Sequence, residues 1–97
     1  MASSKEFLEY ILEGLRGVDG ISYRAMMGEY VIYYHGVVFG GIYDDRFLVK
    51  KTETNEKYNL AEEVPYDRGK PMYLVENTDD MEYMRALVLD TYAGLKK

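Results

Sequence analysis

The fold of this chain is decided by the stretch Glu29-Tyr-Val-Ile-Tyr-Tyr34, His35-Gly36, Val37-Val-Phe-Gly-Gly-Ile-Tyr43, Asp44-Asp45 and Arg46-Phe-Leu-Val-Lys-Lys51. Two-residue turns that contain Gly or Asp between apolar, β-branched and aromatic runs are a strong signal for β-hairpins. The stretch therefore predicts a meander of three antiparallel strands with turns at 35–36 and 44–45.

A helix and one ambiguous segment precede this meander. Ser3 and Glu6 have the spacing of a capping box, and apolar residues then recur at helical spacing until a stop near Gly17. Residues 21–27 alternate in character, which indicates either a short strand or an extended lead-in to the sheet. Gly28 then frees the backbone for a bend.

A short surface helix in 52–61, a strand in 72–76 and a last helix are predicted after the meander. Cap candidates for the last helix lie in 77–80. Its apolar face is formed by Met81, Met84, Leu87, Val88, Tyr92 and Leu95. Strands grouped between helices predict an α+β fold, in which N- and C-terminal helices and a small middle helix flank an antiparallel sheet.

The composition predicts one small acidic domain over residues 1–97. A chain of this length cannot supply two stable cores. The formal net charge of −5 disfavours direct nucleic-acid binding, because an acidic surface repels phosphates. The absence of cysteine excludes disulfides, thiol catalysis and cysteine-based zinc sites. No apolar run has the length of a membrane span, and no signal peptide is evident, so a cytoplasmic location without membrane association is expected.

Directly opposed residues of antiparallel strands share a face, so the two turns assign the meander residues to two faces. The face expected to pack under the helices carries Val31, Tyr33, Val38, Gly40, Ile42, Phe47 and Val49. The other carries Tyr30, Ile32, Tyr34, Val37, Phe39, Gly41, Tyr43, Arg46, Leu48 and Lys50. This second face is aromatic, although a one-sided sheet normally has a polar outer face. An error of one residue in the register would exchange the faces.

Three readings of the second face stay open. It is covered by the middle helix and the loop in the 60s, it is a homodimer or partner interface, or it forms a small-molecule pocket. Large exposed apolar patches usually mark contact sites, which favours the interface. The high tyrosine count, eleven with no tryptophan, suits half-buried contact positions.

No residue cluster predicts catalysis, a cofactor or a metal site. His35 is the only histidine and reads as a turn residue. The paired aspartates at 44–45 and 79–80 are explained by turns and helix caps. Arg24 is expected either to bridge to Glu29 or an aspartate of the 44–45 turn, or to hold an anionic ligand.

The run Tyr23-Arg-Ala-Met-Met-Gly-Glu-Tyr-Val-Ile-Tyr33, with Gly36-Val-Val-Phe-Gly-Gly-Ile42 and Leu48-Val-Lys50, resembles the N-terminal domain of the TfoX/Sxy family of bacterial competence regulators. The most specific part is the pattern Arg24-x-Met26-x-Gly28-x-Tyr30. The resemblance implies an α+β fold similar to secretion chaperones, α-β(3)-α-β(2)-α, which often dimerise through the sheet side.

The resemblance also implies a role in regulation. Full-length members promote transcription of competence genes with the cyclic-AMP receptor protein, and their N-terminal domain supplies no catalytic residue. Their second, C-terminal domain is expected to be absent here, because the chain ends at Lys97.

The favoured hypothesis is a non-catalytic regulatory module that binds a protein partner or a second copy through the second face. The candidate contact residues are Arg24, Met26, Gly28, Tyr30, Ile32, Tyr34, Phe39 and Tyr43. One alternative is a small-molecule-binding domain or enzyme that uses Arg24 and a tyrosine-lined pocket. The other, disfavoured by charge, is direct DNA binding through a basic patch of Arg24, Arg46, Lys50, Lys51, Arg68 and Lys70.

Overall fold

The structure is a computed structural model that describes residues 3–96. Helix α1 spans Lys5–Gly14 and helix α2 spans Met81–Leu95. The strands are β1 (Ile21–Met26), β2 (Glu29–Tyr34), β3 (Val37–Ile42), β4 (Phe47–Val49), β5 (Glu62–Glu63) and β6 (Met72–Leu74). They form one antiparallel sheet in the order β1-β2-β3-β4-β6-β5. The predicted α+β fold with N- and C-terminal helices is confirmed.

Three two-residue turns connect the first four strands. Both central residues have positive φ in each turn: 52° and 85° at Met27–Gly28, 48° and 80° at His35–Gly36, and 54° and 56° at Asp44–Asp45. Such turns match the right-handed twist of the strands that they join. The two predicted turns are therefore confirmed, and the ambiguous segment 21–27 is resolved as strand β1 and the start of a third turn.

A bulge in β3 changes the predicted register. Tyr34 pairs with Val37 and Tyr33 with Val38, as predicted, but Ile32 then pairs with Gly40 instead of Phe39. The predicted pairs of Ile32 with Phe39 and of Val31 with Gly40 are wrong. A bulge places one extra residue in a strand, and the alternation of faces reverses beyond it.

The bulge exchanges the predicted faces in β2 and in the first half of β3. Ile32 and Phe39, which were assigned to the uncovered face, are 0% exposed in the core under the helices. Tyr30 and Tyr34 pack against the same core and are half-buried, and the Tyr34 ring meets Tyr92 of α2 at 4.8 Å. Beyond the bulge, the assignments of Ile42, Phe47 and Val49 to the helix side are confirmed.

Each helix packs one apolar stripe against this core. The stripe of α1 consists of Leu8, Ile11 and, just after its end, Leu15, and the buried apolar residues of α2 are Met84, Leu87 and Val88. Both helices therefore lie on one face of the sheet. Burying these side chains contributes roughly 1.5–3 kcal/mol each, which is the main stabilisation of the two-layer arrangement.

The two ends of α1 both differ from the prediction. Ser4 caps α1, because its Oγ accepts the Phe7 amide at 3.1 Å. Ser3, the predicted cap, instead donates its hydroxyl to the Glu29 carboxylate and so joins the chain start to the sheet. The helix ends at Gly14, before the predicted stop near Gly17.

The predicted middle helix is reduced to a 3-10 turn at Glu56–Tyr58. Asn55 precedes it and is fully buried. Its amide group donates to the Lys50 carbonyl and to Thr91 Oγ1, both at 2.9 Å, and accepts the Thr52 amide at 2.9 Å. These side-chain bonds occupy the backbone groups that a longer helix would use, so the segment stays a turn.

Gly40→Ala tests the close approach of β3 and β4 at the bulge. A Cβ at Gly40 would lie 2.3 Å from the Leu48 carbonyl oxygen, so the neighbouring strand would have to shift. We expect the free energy of unfolding, measured by urea denaturation, to fall by roughly 1–3 kcal/mol.

Gly17→Ala is the matched control. Its Cβ would meet only the flexible end of Met81 at 3.3 Å, so a small change is expected. Equal losses of stability in the two variants would contradict the close approach at Gly40.

Candidate functional site

The face of the sheet opposite the helices carries the candidate site. Val31 pairs with Arg24 on one side and Gly41 on the other, and Tyr33 pairs with Val38, so these residues share this face. Arg24 is exposed, whereas Tyr33 and Val38 are half-buried. Neither helix contributes to the core on this side of the sheet. The second, uncovered face thus exists, but in β2 it consists of the residues that were predicted to be covered.

One loop, residues 64–71, covers part of this face. Arg46 holds the loop: its guanidinium donates to Glu63 Oε1 at 2.7 Å and to the carbonyls of Val64 and Pro65 at 3.2 and 3.4 Å. Leu48 in β4 is 0% exposed. The reading in which the loop of the 60s covers the second face therefore holds for one half. The loop does not cover the half formed by β1, β2 and β3, although the neighbouring side chains leave Val31 only 8% exposed there.

Two adjoining clefts of about 730 and 820 Å³ run along this face. We call them together the open-face groove. They share Val38, Tyr43, Lys50 and Tyr66. The end near the first hairpin is lined by Met26, Met27, Glu29, Val31 and Tyr33. The end under the loop is lined by Gly40, Lys51, Pro65, Arg68, Gly69, Lys70, Pro71 and Met72.

The hairpin end of the groove is apolar apart from Glu29, whose carboxylate accepts the Ser3 hydroxyl and the Asp44 amide. Met27 lies at the tip of the first turn, is 98% exposed and has φ of 52°, and Met26 beside it is 50% exposed. Bulky residues at positive φ are rare in folded proteins, and methionine is a flexible side chain that adapts to different binding surfaces. This end can therefore bury apolar groups of a ligand.

The loop end of the groove is cationic. Lys50, Lys51, Arg68 and Lys70 line it, and no carboxylate does. Lys51 pairs with Glu62 at 3.1 Å, but within residues 3–96 the side chains of the other three form no ion pair. The chain as a whole has a formal net charge of −5. The basic side chains of an acidic protein are thus gathered beside an apolar surface, which is an arrangement that attracts anions.

Tyr43 connects the two ends. Its ring lies over Gly41, where a Cβ would come within 2.8 Å of Tyr43 Cε2, and it meets the Tyr66 ring at 6.1 Å. Burial raises the pKa of the Tyr43 hydroxyl, and the neighbouring Tyr66 and Glu29 add to the rise. The hydroxyl therefore stays protonated at neutral pH and can donate a hydrogen bond to an anion in the groove.

The predicted contact residues divide between the two faces. Arg24, Met26 and Tyr43 lie on or beside the groove, and Gly28 sits in the turn below Met27. The other four predicted contact residues, Tyr30, Ile32, Tyr34 and Phe39, lie on the helix side.

Arg24 does not form the predicted bridge. No carboxylate pairs with Arg24 in the described part of the chain, and Glu29 accepts the Ser3 hydroxyl and the Asp44 amide instead. Sequence reasoning missed Val31, Tyr33, Val38 and Tyr66. The signal available for the three strand residues was the Gly40-Gly41 pair, because glycine inside a strand often marks a bulge; no signal in the sequence indicated Tyr66.

Arg46→Gln tests the attachment of the loop. Trypsin can cleave after Arg68 within it, whereas the Lys70–Pro71 bond resists cleavage because proline follows the lysine. We expect cleavage after Arg68 to become roughly tenfold faster, because the loop loses charge-assisted hydrogen bonds whose partners are partly exposed. Mass spectrometry of a limited digest measures this rate. Arg16→Gln, which removes an exposed pair with Glu13, is the control and should leave the rate unchanged. Equal cleavage in the two variants would contradict the role of Arg46.

Comparison with known proteins agrees with this architecture. Among the described residues, neither helix has the length and apolar character needed to cross a membrane. The comparison with curated proteins gave no match. The family model described as the TfoX N-terminal domain matches residues 13–91, which includes every strand, most of α2 and the last two residues of α1. This chain belongs to the TfoX N-terminal domain family.

Proposed function

We propose that this protein is a small regulatory module, linked to competence or transcriptional control, that binds an acidic and apolar segment of a protein partner in the open-face groove. The observation that carries the proposal is the groove itself. Four cationic side chains and, among the described residues, no carboxylate line its loop end, and the adjoining hairpin end is apolar apart from Glu29. The family membership supports a regulatory role.

The two ends of the groove supply different parts of the binding energy. Met26, Met27 and Tyr33 offer apolar area, which is worth about 25 cal/mol per Å² removed from water. Within residues 3–96, Lys50, Arg68 and Lys70 have no carboxylate partner, so an incoming anion does not have to displace one there. Charge at the rim mainly speeds association and selects the partner, whereas the apolar end slows dissociation.

A protein segment fits the groove better than DNA does. The cations line a concave cleft between the loop and the sheet, not an exposed ridge or helix that could follow a phosphate backbone. Most of the acidic residues lie outside the groove and would repel a long polyanion. Met26 and Met27 would gain little from contacts with a duplex backbone.

A small aromatic anion is the second candidate ligand, because the cleft under the loop has about 820 Å³, within the size range of ligand pockets. Its cations, Tyr43 and Tyr66 would hold a carboxylate or phosphate that carries a ring. Catalysis is not part of the proposal, since His35 lies on an exposed turn against Tyr34 and does not line the groove.

Fluorescence anisotropy with a labelled peptide that alternates Glu and Leu tests the proposal. The comparison probes are the Lys–Leu peptide of the same length and a single-stranded oligothymidine. We expect the affinity for the acidic peptide to be at least about tenfold higher than for the basic one. Increasing salt should lower the affinity for the acidic peptide, because salt screens the charges.

The double variant Arg68→Glu with Lys70→Glu is expected to bind the acidic peptide with an affinity at least about tenfold lower, because it reverses two charges of the groove wall. The control is the double variant Arg16→Glu with Arg85→Glu, which makes the same charge change at two exposed positions, one just after α1 and one on α2. It should have little effect.

Each result decides between the candidates. Equal weakening by both double variants would show a general charge effect and overturn the site. Tighter binding of oligothymidine than of the acidic peptide would replace the proposal with DNA binding. Saturable binding of 2-naphthoate, lost in Arg68→Glu with Lys70→Glu, in the absence of peptide binding would select the small anion.

A further inference from the structure

Strand β1 (Ile21–Met26) forms an edge of the sheet with few features that would prevent another strand from pairing with it. It is six residues long, has five exposed residues, and pairs with β2 without a register shift. Its only charged residue is Arg24. The opposite edge, β5, has two residues, both glutamates. Proteins usually shield edge strands by shortness, charge, proline or a bulge, and β1 has only one of these devices, a single charge.

The backbone groups that face outward can be identified from the pairing with β2. His35 N donates to the Gly20 carbonyl at 2.9 Å, and hydrogen-bonded pairs alternate along an antiparallel ladder. The residues that bond to β2 are therefore Ser22, Arg24 and Met26. The turn at Met27–Gly28 agrees, because a two-residue turn closes on a hydrogen-bonded pair. The N–H and C=O groups of Ile21, Tyr23 and Ala25 point away from the sheet.

Within residues 3–96, neither helix covers this edge. Tyr23 pairs with Ile32 and Ala25 with Tyr30, so both side chains lie on the helix side. Tyr23 is nevertheless 46% exposed, and Ala25 is exposed as well. Another strand can thus approach β1 without movement of α1 or α2.

We propose that β1 of a second copy of this chain pairs antiparallel with this edge around a two-fold axis at Tyr23. Tyr23 then opposes Tyr23 of the second copy, and Ile21 opposes Ala25 of the second copy. Every outward N–H and C=O of these three residues gains a partner. The result is a continuous sheet of twelve strands, twice the six of one copy.

The register follows from symmetry and charge. A two-fold axis between antiparallel strands keeps opposed residues on the same face, so the axis must pass through a residue that opposes itself. An axis at Arg24 would oppose two guanidinium groups directly and leave Ile21 without a partner in the strand. An axis at Ser22 would leave Ala25 without one. Of these three positions, only an axis at Tyr23 gives hydrogen-bond partners within the strand to all three outward residues. It also places the two Tyr23 rings as an aromatic cross-strand pair.

This pairing puts both pairs of helices on one side and both open-face grooves on the other. Arg24 on the groove side opposes Ser22 of the second copy. Two equivalent grooves on one continuous face suit a partner that carries two acidic segments, which would gain effective concentration from the second site. The association itself does not rest on the proposed function, because it uses only the backbone of β1.

A charge exchange at Tyr23 tests the self-opposed register. Tyr23→Lys and Tyr23→Glu each place like charges at the axis, so each variant alone is expected to be monomeric by light scattering at concentrations where the unchanged protein is dimeric. Their equimolar mixture is expected to recover the dimer, because Lys then opposes Glu. Val64→Lys, at an exposed apolar position of the loop, should stay dimeric.

Amide hydrogen exchange of the unchanged protein gives a second readout that needs no variant. The amides of Ile21, Tyr23 and Ala25 are expected to gain protection as protein concentration rises, whereas those of Ser22 and Arg24 are protected at every concentration. A protein that stays monomeric up to millimolar concentration would overturn the proposal. So would a dimer in which Tyr23→Lys alone still associates, or in which the three outward amides exchange at a rate that does not depend on concentration.

Discussion

The close contact between β3 and β4 at Gly40 is the constraint on which the rest of this structure depends. The strand backbones are so near that a Cβ would reach the Leu48 carbonyl oxygen. Phe39, immediately before it, is the extra residue of a bulge, and its carbonyl accepts the Lys50 amide at 2.8 Å. The bulge turns Phe39 into the core, where its ring meets Phe47 edge to face at 6.4 Å. One inserted residue thus decides which face of β2 the helices cover.

The open-face groove is a consequence of that choice. With Tyr30 and Ile32 turned toward the helices, Val31 and Tyr33 are left on the other side, next to Val38. The loop 64–71, tied by Arg46, then closes one end of the groove and brings Arg68 and Lys70 beside the sheet. Packing in the core and charge on the opposite face are therefore linked through the register of a single pair of strands.

Local patterns in the sequence were sufficient for the elements. The turns at His35–Gly36 and Asp44–Asp45, both long helices and the pairing of β3 with β4 follow from turn chemistry and periodicity. The same patterns did not predict which face of the sheet each residue of β2 occupies. A bulge leaves only a weak trace in the sequence, here the Gly40-Gly41 pair, and it reverses the face of every residue beyond it.

The candidate site was harder to predict than the elements. Arg68, Lys70 and Tyr66 reach the groove because Arg46 holds the loop at residues 18 and 19 positions further along the chain, and no spacing in the sequence encodes that contact. The basic patch considered from the sequence was correct for four of its six residues, because Lys50, Lys51, Arg68 and Lys70 line one cleft. Arg46 is instead used to hold the loop, which residue type alone could not reveal.

Thiol labelling at neighbouring positions of β2 shows directly which face of this strand the helices cover, because the chain has no cysteine of its own. We expect Tyr33→Cys to react readily with a maleimide under native conditions. Ile32→Cys should react about a hundredfold or more slowly, through transient unfolding, and the two should react alike in denaturant. Faster native labelling at position 32 than at position 33 would place the helices on the other face and contradict the account.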